Sequence, residues 1–390
     1  MSQKTITLSW FDRIKQSFGG LVFGFVLVIA MVGLLFWNEG RAVQTERSLA
    51  EGAGLVVSTT PTPLNAAYEG SLVHLGGSLV TSGPIADADF GVSTPGLQLV
   101  RMVEMFQWVE KSRTEKKVEL GGSETQVTTY DYVKEWADSA KDSSKFHEPE
   151  EHRNPDMLVG RQSFVQPSAM LGDFVLDETV LGHVGGTQKL VLTEDKAQTI
   201  QDAIGAGIRA TIVNGGIYLG QNSASPELGD YRISYDYVPV GTVSIIAKQQ
   251  GSGLVPYRTQ SGDSLLMVET GLVAAADMFE GAASGNATMT WILRAVGLVL
   301  LIAGFASILG PISVLSSVLP FLASILGFGT GIIAGVAGIA LGALTIGSAW
   351  LFYRPLLALA IFAVAGVVIA AIILFGRYKK AAGAAPQPTA

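Results

Sequence analysis

Residues 19–37 read GGLVFGFVLVIAMVGLLFW, nineteen positions without a charge. A helix rises about 1.5 Å per residue, so roughly 20 apolar residues cross the hydrocarbon core of a bilayer. The run ends in Phe36-Trp37-Asn38-Glu39 and not in the small residues of a signal-peptidase site. It is therefore expected to stay in the mature chain as a membrane helix with an interfacial aromatic anchor.

The remaining long apolar runs come after Thr290. Residues 291–309, 329–352 and 356–375 each have the length and composition of a span. Arg354-Pro355 separates the last two, because Pro cannot continue a helix and Arg seeks the interface. Residues 310–328 are apolar but broken by Pro320, which leaves an interfacial helix, a re-entrant segment or an extension of the neighbouring spans open. Four spans are thus expected, one N-terminal and three C-terminal.

The charges fit that division. No Asp or Glu occurs in residues 291–390, and residues 19–290 hold 18 basic and 32 acidic side chains, a net of −14. Lys4, Arg13 and Lys15 flank the first span, and Arg377, Lys379 and Lys380 flank the last. The positive-inside bias then places both termini in the cytoplasm and residues 38–290 on the far side, periplasmic or lumenal. Residues 376–390 form the cytoplasmic tail. Ser9-Trp10-Phe11-Asp12 fits a capping box. Trp10, Phe11, Ile14 and Phe18 fall on one face, so residues 1–18 are expected as a cytoplasmic amphipathic segment.

Residues 38–290 are expected to form a β-rich domain, giving an α+β membrane protein. Period-two alternation runs through 97–109 and 231–238, and 189–192 and 243–247 also read as strands. Turn signals stand at Gly76, Gly121, Gly185, Gly215 and Gly262. Residues 193–206 and 265–283 read as helical, and 141–154 (KDSSKFHEPEEHRN) as an exposed polar loop.

Catalytic chemistry is scarce. Cys is absent, which excludes thiol nucleophiles, Cys-zinc sites, iron–sulfur clusters and disulfides. No G-x-S-x-G elbow, phosphate loop or dinucleotide fingerprint occurs. His147 and His152 flank Glu148, Glu150 and Glu151, but Pro149 disfavours a helix and the i, i+4 spacing of a helical metal site is missing. No catalytic, cofactor-binding or metal residue is assigned, and no cofactor is expected. Asn286-Ala287-Thr288 matches a glycosylation sequon close to the second span.

Glycine placement carries more. Gly327, Gly331, Gly335, Gly338 and Gly342 recur at spacings of four, four, three and four, keeping to one helix face as tandem small-xxx-small motifs. That face is expected to pack another span or a second subunit. No Asp, Glu or His lies in any expected span, which weighs against proton relays and ion-coupled transport. At the far membrane face, Trp37, Asn38, Glu39 and Arg41 leave lipid where Trp291 and Arg294 enter it. A hydrogen-bonded collar is expected there, with Arg294 charge-paired to the first-helix residues.

The chain resembles the LUMA family, also called transmembrane protein 43. The resemblance rests on Phe36-Trp37-Asn38-Glu39-Gly40-Arg41-Ala42-Val43, on Val103-Glu104-Met105-Phe106-Gln107-Trp108-Val109-Glu110, and on Tyr130, Tyr132, Glu135-Trp136 and Asn154-Pro155. Further on it includes Gly229-Asp230-Tyr231-Arg232-Ile233-Ser234-Tyr235, Leu254-Val255-Pro256-Tyr257, Ser261-Gly262-Asp263, and Trp291 with Arg294. It covers almost the whole length, and order and spacing make it specific. It implies four spans, cytosolic ends, a large lumenal domain and self-association. Animal members look like scaffolds of the endoplasmic reticulum and inner nuclear membrane, linked to lamins and emerin, and channel-like roles have been proposed for the family. No lamina-specific feature is found here. In a bacterial host the membrane would be the inner membrane.

The expectation is a non-enzymatic, homo-oligomeric membrane scaffold, with a pore or ion-channel subunit as the alternative. A membrane-tethered hydrolase or metal enzyme using His147 and His152 is the third reading. Expected partners are membrane lipids, further copies of the chain and other membrane proteins, with no nucleic acid.

Overall fold

The computed structural model describes residues 2–119, 121–205, 207–316 and 320–356, with 358–360, 363, 364, 367, 370 and 371; for 320–327 the backbone alone is described. The chain divides into a sheet unit (Met1–Thr7, Ser48–Lys117, Thr125–Ala283) and a helical unit (Leu8–Arg47, Val118–Glu124, Ser284–Ala390).

In the sheet unit, five strands close on themselves. Leu72–Val80 pairs with Thr242–Gln250, which pairs with Gly253–Val255; Phe174–Asp177 and Ser168–Leu171 complete the ring back to Leu72–Val80. Alternate residues point inward, so Val73, Leu75 and Leu79 meet Val243, Ile245 and Ala247, with Leu171 and Phe174 filling the centre. Closure leaves little free edge, which suits strands this apolar. A second sheet runs in the order Ser2–Leu8, Glu124–Ala137, Gly96–Val118, Tyr231–Pro239, Gly216–Leu219, Ala210–Val213. Its register places Met105 opposite Tyr231 and Val103 opposite Ile233, and these residues build its buried face. The short helices α2 (Glu178–Leu181) and α3 (Ala197–Ile204) lie in this unit, α3 burying Ile200.

One ion pair sits in that unit's interior. Arg101, opposite Tyr235 in the register, donates Nη1 to Asp87 Oδ2 at 2.8 Å and Nη2 to Gln162 Oε1 at 2.7 Å. The Tyr235 hydroxyl donates to Asp87 at 2.8 Å, so the fully buried carboxylate is satisfied from two strands. Burial, and then the Asp87 carboxylate beside it, push the Tyr235 hydroxyl well above the usual tyrosine range.

Three helices are long and apolar enough to cross a membrane: α1 (Trp10–Leu55), α4 (Ala275–Ile308) and the Phe328–Tyr353 part of α6 (Pro320–Tyr353). The short α5 (Gly310–Ser316) precedes α6. The fourth expected span, 356–375, falls largely outside the described residues, as does the tail at 376–390.

Several expectations change. Residues 1–18 are not one amphipathic segment: Ser2–Leu8 is a strand paired with Glu124–Ala137, and helix begins only at Trp10. A strand and its partner share one aqueous side, so the charge-based placement of these first residues does not follow from the fold. The capping box does form, with Asp12 N–H donating to Ser9 Oγ and Ser9 N–H to Asp12 Oδ2, each at 3.2 Å. Helix α1 also continues past the expected membrane exit to Leu55. Residues 265–283 are not one helix. Met267–Thr270 is a strand on Thr242–Gln250, Gly271 turns at φ +92°, and α4 starts at Ala275. β-Branched Val268 and Thr270, laid against Val243 and Ile245, win over the helical pattern. Gly76, expected in a turn, lies inside Leu72–Val80. Within residues 310–328, Gly310–Ser316 forms α5 and α6 begins at Pro320, while 317–319 lie outside the described residues.

Candidate functional site: a charged collar at the helix ends

The helical unit is held by close backbone approach along its length and by a polar network at one end. Helices α1 and α4 run antiparallel, meeting where neither carries a side chain. A Cβ at Gly24 would stand 2.6 Å from the Gly304 carbonyl oxygen, and one at Gly304 would stand 2.8 Å from Val28. Further along, Gly297 accommodates Leu35, which is fully buried. Helix α6 returns antiparallel to α4, with Gly338 against Ile302 and Gly342 against Leu298. Gly and other small residues let helices approach to van der Waals contact of the backbones, the chief attraction available in lipid.

The predicted glycine face therefore divides. Gly338 and Gly342 pack within the chain, whereas a Cβ at Gly331 or Gly335 would meet nothing within 4 Å among the described residues. Gly327 lies among the residues whose side chains are not described. Gly24, Gly297 and Gly304 were not singled out in the sequence, although their spacing to Leu35, Asn38 and Thr290 on the two helices carries the same period.

At the far end of these contacts, Glu39 sits 2% exposed and Asn38 fully buried. Arg294 meets Glu39 with two parallel hydrogen bonds, Nε to Oε1 at 2.6 Å and Nη2 to Oε2 at 2.7 Å. From α6, Trp350 Nε1 donates to Glu39 Oε2 at 2.9 Å, so a single carboxylate ties all three helices. The guanidinium lies over the rings of Trp291 (4.7 Å) and Trp350 (5.7 Å), a cation–π arrangement. One turn away, Asn38 Nδ2 donates to the Thr290 carbonyl at 3.2 Å. Arg41 donates Nη1 to Asn286 Oδ1 at 2.9 Å and Nη2 to Thr290 Oγ1 at 3.1 Å. Asn286 Nδ2 returns a bond to the Ala42 carbonyl at 3.0 Å. Asn286, Thr290 and Arg294 recur every four residues, so one face of α4 presents all three. Gly40 leaves room for the Tyr353 ring, which also packs on Phe36 at 5.4 Å.

Of the six collar residues expected from sequence, Asn38, Glu39, Arg41 and Arg294 come together in the network. Trp37 and Trp291 stand at its rim, 56% and 66% exposed, as interfacial aromatic residues do. Trp350, Asn286 and Thr290 were missed. Asn286 had drawn notice only as a sequon, and nothing but a pairing to Arg41 would have marked it.

The histidines lie elsewhere. His152 stacks on Tyr132 at 3.6 Å and His147 on Tyr130 at 4.3 Å, which docks the 141–154 loop. Glu148, Glu151 and His152 bring ligand atoms within 4.8 Å of one another, a group His147 does not join. His74 lies within hydrogen-bond distance of Ser58 Oγ and the Val273 carbonyl, and His183 of the Thr179 carbonyl.

A profile of the family described as Transmembrane protein 43 matches residues 105–355. The human protein of that name is 33% identical over 375 residues, covering 92% of this chain and 90% of the relative. The chain belongs to the transmembrane protein 43 family. Its mouse member is 32% identical over 362 residues, 88% of this chain and 87% of the relative. The transmembrane protein 43 homolog of Drosophila melanogaster is 29% identical over 348 residues, 86% and 89% of the two chains. No solved structure matches the chain. Family membership and three apolar helices together make this an integral membrane protein.

Proposed function

We propose that the chain is a non-enzymatic, homo-oligomeric scaffold that organises a membrane patch or a protein assembly. The observation that carries this is the divided glycine face. Gly338 and Gly342 are used inside the chain, and Gly331 and Gly335, which meet no neighbour among the described residues, are flanked by exposed Ile332, Ile333, Val336 and Ile339. A second copy offering the same face would gain the backbone contact that α4 already makes with Gly338 and Gly342. The collar supports a structural role for the helices, since the buried Glu39 carboxylate is spent on Arg294 and Trp350 of the same chain.

In this proposal the sheet unit faces away from the cytoplasm, and the C-terminal tail with Arg377, Lys379 and Lys380 faces it. The N-terminus is where flank charge and fold diverge. Labelling of Thr5→Cys by an impermeant reagent in sealed vesicles decides whether Ser2–Leu8 stays with its strand partner.

Chemical cross-linking and native mass spectrometry of the purified chain test the scaffold. Replacing Gly331 and Gly335 with Leu should shift a defined oligomer towards monomer with the fold intact. Saturable ion flux in liposomes would replace the scaffold with the pore.

A further inference from the structure

Asn286-Ala287-Thr288 is the chain's one glycosylation sequon, and the collar holds it inside α4. Transfer of an N-linked glycan joins a sugar carbon to Asn Nδ2. The nitrogen gives up one hydrogen as a proton, and the pyrophosphate of a lipid-linked oligosaccharide donor leaves. Such transfer needs an accessible surface loop that presents the Asn and the hydroxyl residue together.

Neither condition holds in the fold. Asn286 Nδ2, the acceptor atom, donates to the Ala42 carbonyl at 3.0 Å. The Oδ1 of the same amide accepts from Arg41 Nη1 at 2.9 Å, so both ends of the group are engaged by α1. Ala42 is buried, and a sugar on Nδ2 would have to stand where the two helices meet. The helix also separates the two halves of the sequon. At about 100° per residue, Thr288 points nearly opposite to Asn286, and it is exposed.

This part of α4 depends on its docking. Ser284, Gly285, Asn286, Thr288 and Thr290 are all weak helix formers. A stretch of that composition keeps its helix chiefly through tertiary contact. Arg41 supplies that contact at two successive turns, donating to Asn286 and to Thr290 Oγ1. Without α1 in place, 284–290 is expected to open into an extended segment whose Asn and Thr face one enzyme together.

We infer that Asn286 is a conditional glycan acceptor: it stays bare in a chain whose α1 has docked on α4 and is modified in a chain where docking has failed. The two states exclude each other, because the bulk of a sugar on Nδ2 bars the return of Arg41 and Ala42. The glycan therefore marks chains with an unformed collar. The inference rests on the orientation proposed above, which puts the collar on the side away from the cytoplasm.

The test expresses the full-length chain in cultured mammalian cells and counts glycans by the mobility shift that a glycosidase removes. Every chain carries Ala224→Thr, which completes a second sequon at Asn222 in an exposed loop of the sheet unit and reports the compartment. The otherwise wild-type chain should carry one glycan, and adding Asn286→Gln should leave that count unchanged. Gly297→Phe, which fills the place of Leu35 below the collar, should raise the count to two. Asn38→Ala with Arg41→Ala, which removes collar bonds and leaves the glycine packing alone, should do the same if the first variant does not accumulate. In either background Asn286→Gln should return the count to one. Two glycans on the otherwise wild-type chain would overturn the inference. So would a single glycan in both collar variants, which would show the sequon silent for another reason. A bare Asn222 would overturn the orientation itself, and the inference with it.

Discussion

Glu39 and Arg294, 255 positions apart in sequence, meet side-on through two parallel hydrogen bonds of 2.6 and 2.7 Å. Taking both charges out of water is costly, and the bidentate geometry with a third donor from Trp350 offsets that cost. Removing one member is expected to cost more than removing both, because a lone buried charge has no water to turn to. The pair fixes which face of α1 meets α4, and Trp350 adds α6 to the same oxygen.

Trp350→Phe should keep the ring over Arg294 while deleting the bond to Glu39. A hydrogen bond to a charged group contributes about 1.5–3 kcal/mol. The variant is expected to lose that much in detergent unfolding, and Trp350→Ala more. Equal stability of Trp350→Phe and wild type would show that the indole N–H is idle.

Close approach at Gly24 and Gly304 predicts a local intolerance of size. Gly304→Val should push Val28 and cost about 1–3 kcal/mol, the usual range for overpacking. Gly33→Ala is the control, since a Cβ there meets nothing within 4 Å. The two variants are compared by melting temperature in the same detergent. A Gly304→Val chain as stable as Gly33→Ala would remove this helix crossing.

Alkali should loosen the sheet unit through Tyr235. Its hydroxyl is held protonated in the fold beyond the ordinary tyrosine value, whereas the unfolded chain releases the proton near pH 10. Above that value the unfolded state binds fewer protons, so this group's contribution, complete below about pH 10, is lost as pH rises further. Tyr235→Phe should reduce the slope of stability against pH in that range by close to one proton, about 1.4 kcal/mol per pH unit. An unchanged slope would show that Tyr235 is not the group responsible.

At the acid end, Asp142 accepts from Lys145 and Ser144, which hold its carboxyl down to about 2. The depressed value makes its contribution complete above the ordinary carboxylate range and lost as pH falls towards 2. Hydrogen-exchange protection in residues 141–147, after correction for the intrinsic pH dependence of amide exchange, should therefore be level from neutral to about pH 5 and fall below about pH 4 in wild type, with Asp142→Asn insensitive there. A wild-type loop that loosens already at pH 6 would contradict this.

The membrane helices were legible because a span must be apolar over its whole length, a signal that no packing detail can hide. Strands 97–109 and 231–238 were legible for a similar reason, each burying alternate residues on one face. The strand at Met267–Thr270 was not, because its short run gains its pairing from Val243 and Ile245, more than twenty residues away. Ser2–Leu8 was missed in the same way: a polar edge strand exists only through its partner. At the collar, charge and position pointed to Glu39 and Arg294. The Trp350 contact depends on how α6 returns, and the crossing at Gly24 and Gly304 on the relative rotation of two helices.

The claim that a buried ion pair clamps the helical unit is tested most directly by a double-mutant cycle with Glu39→Gln and Arg294→Met. Each single change should cost about 3–5 kcal/mol of stability in detergent, and the double change clearly less than their sum. Strictly additive losses, or singles that leave stability unchanged, would contradict the clamp.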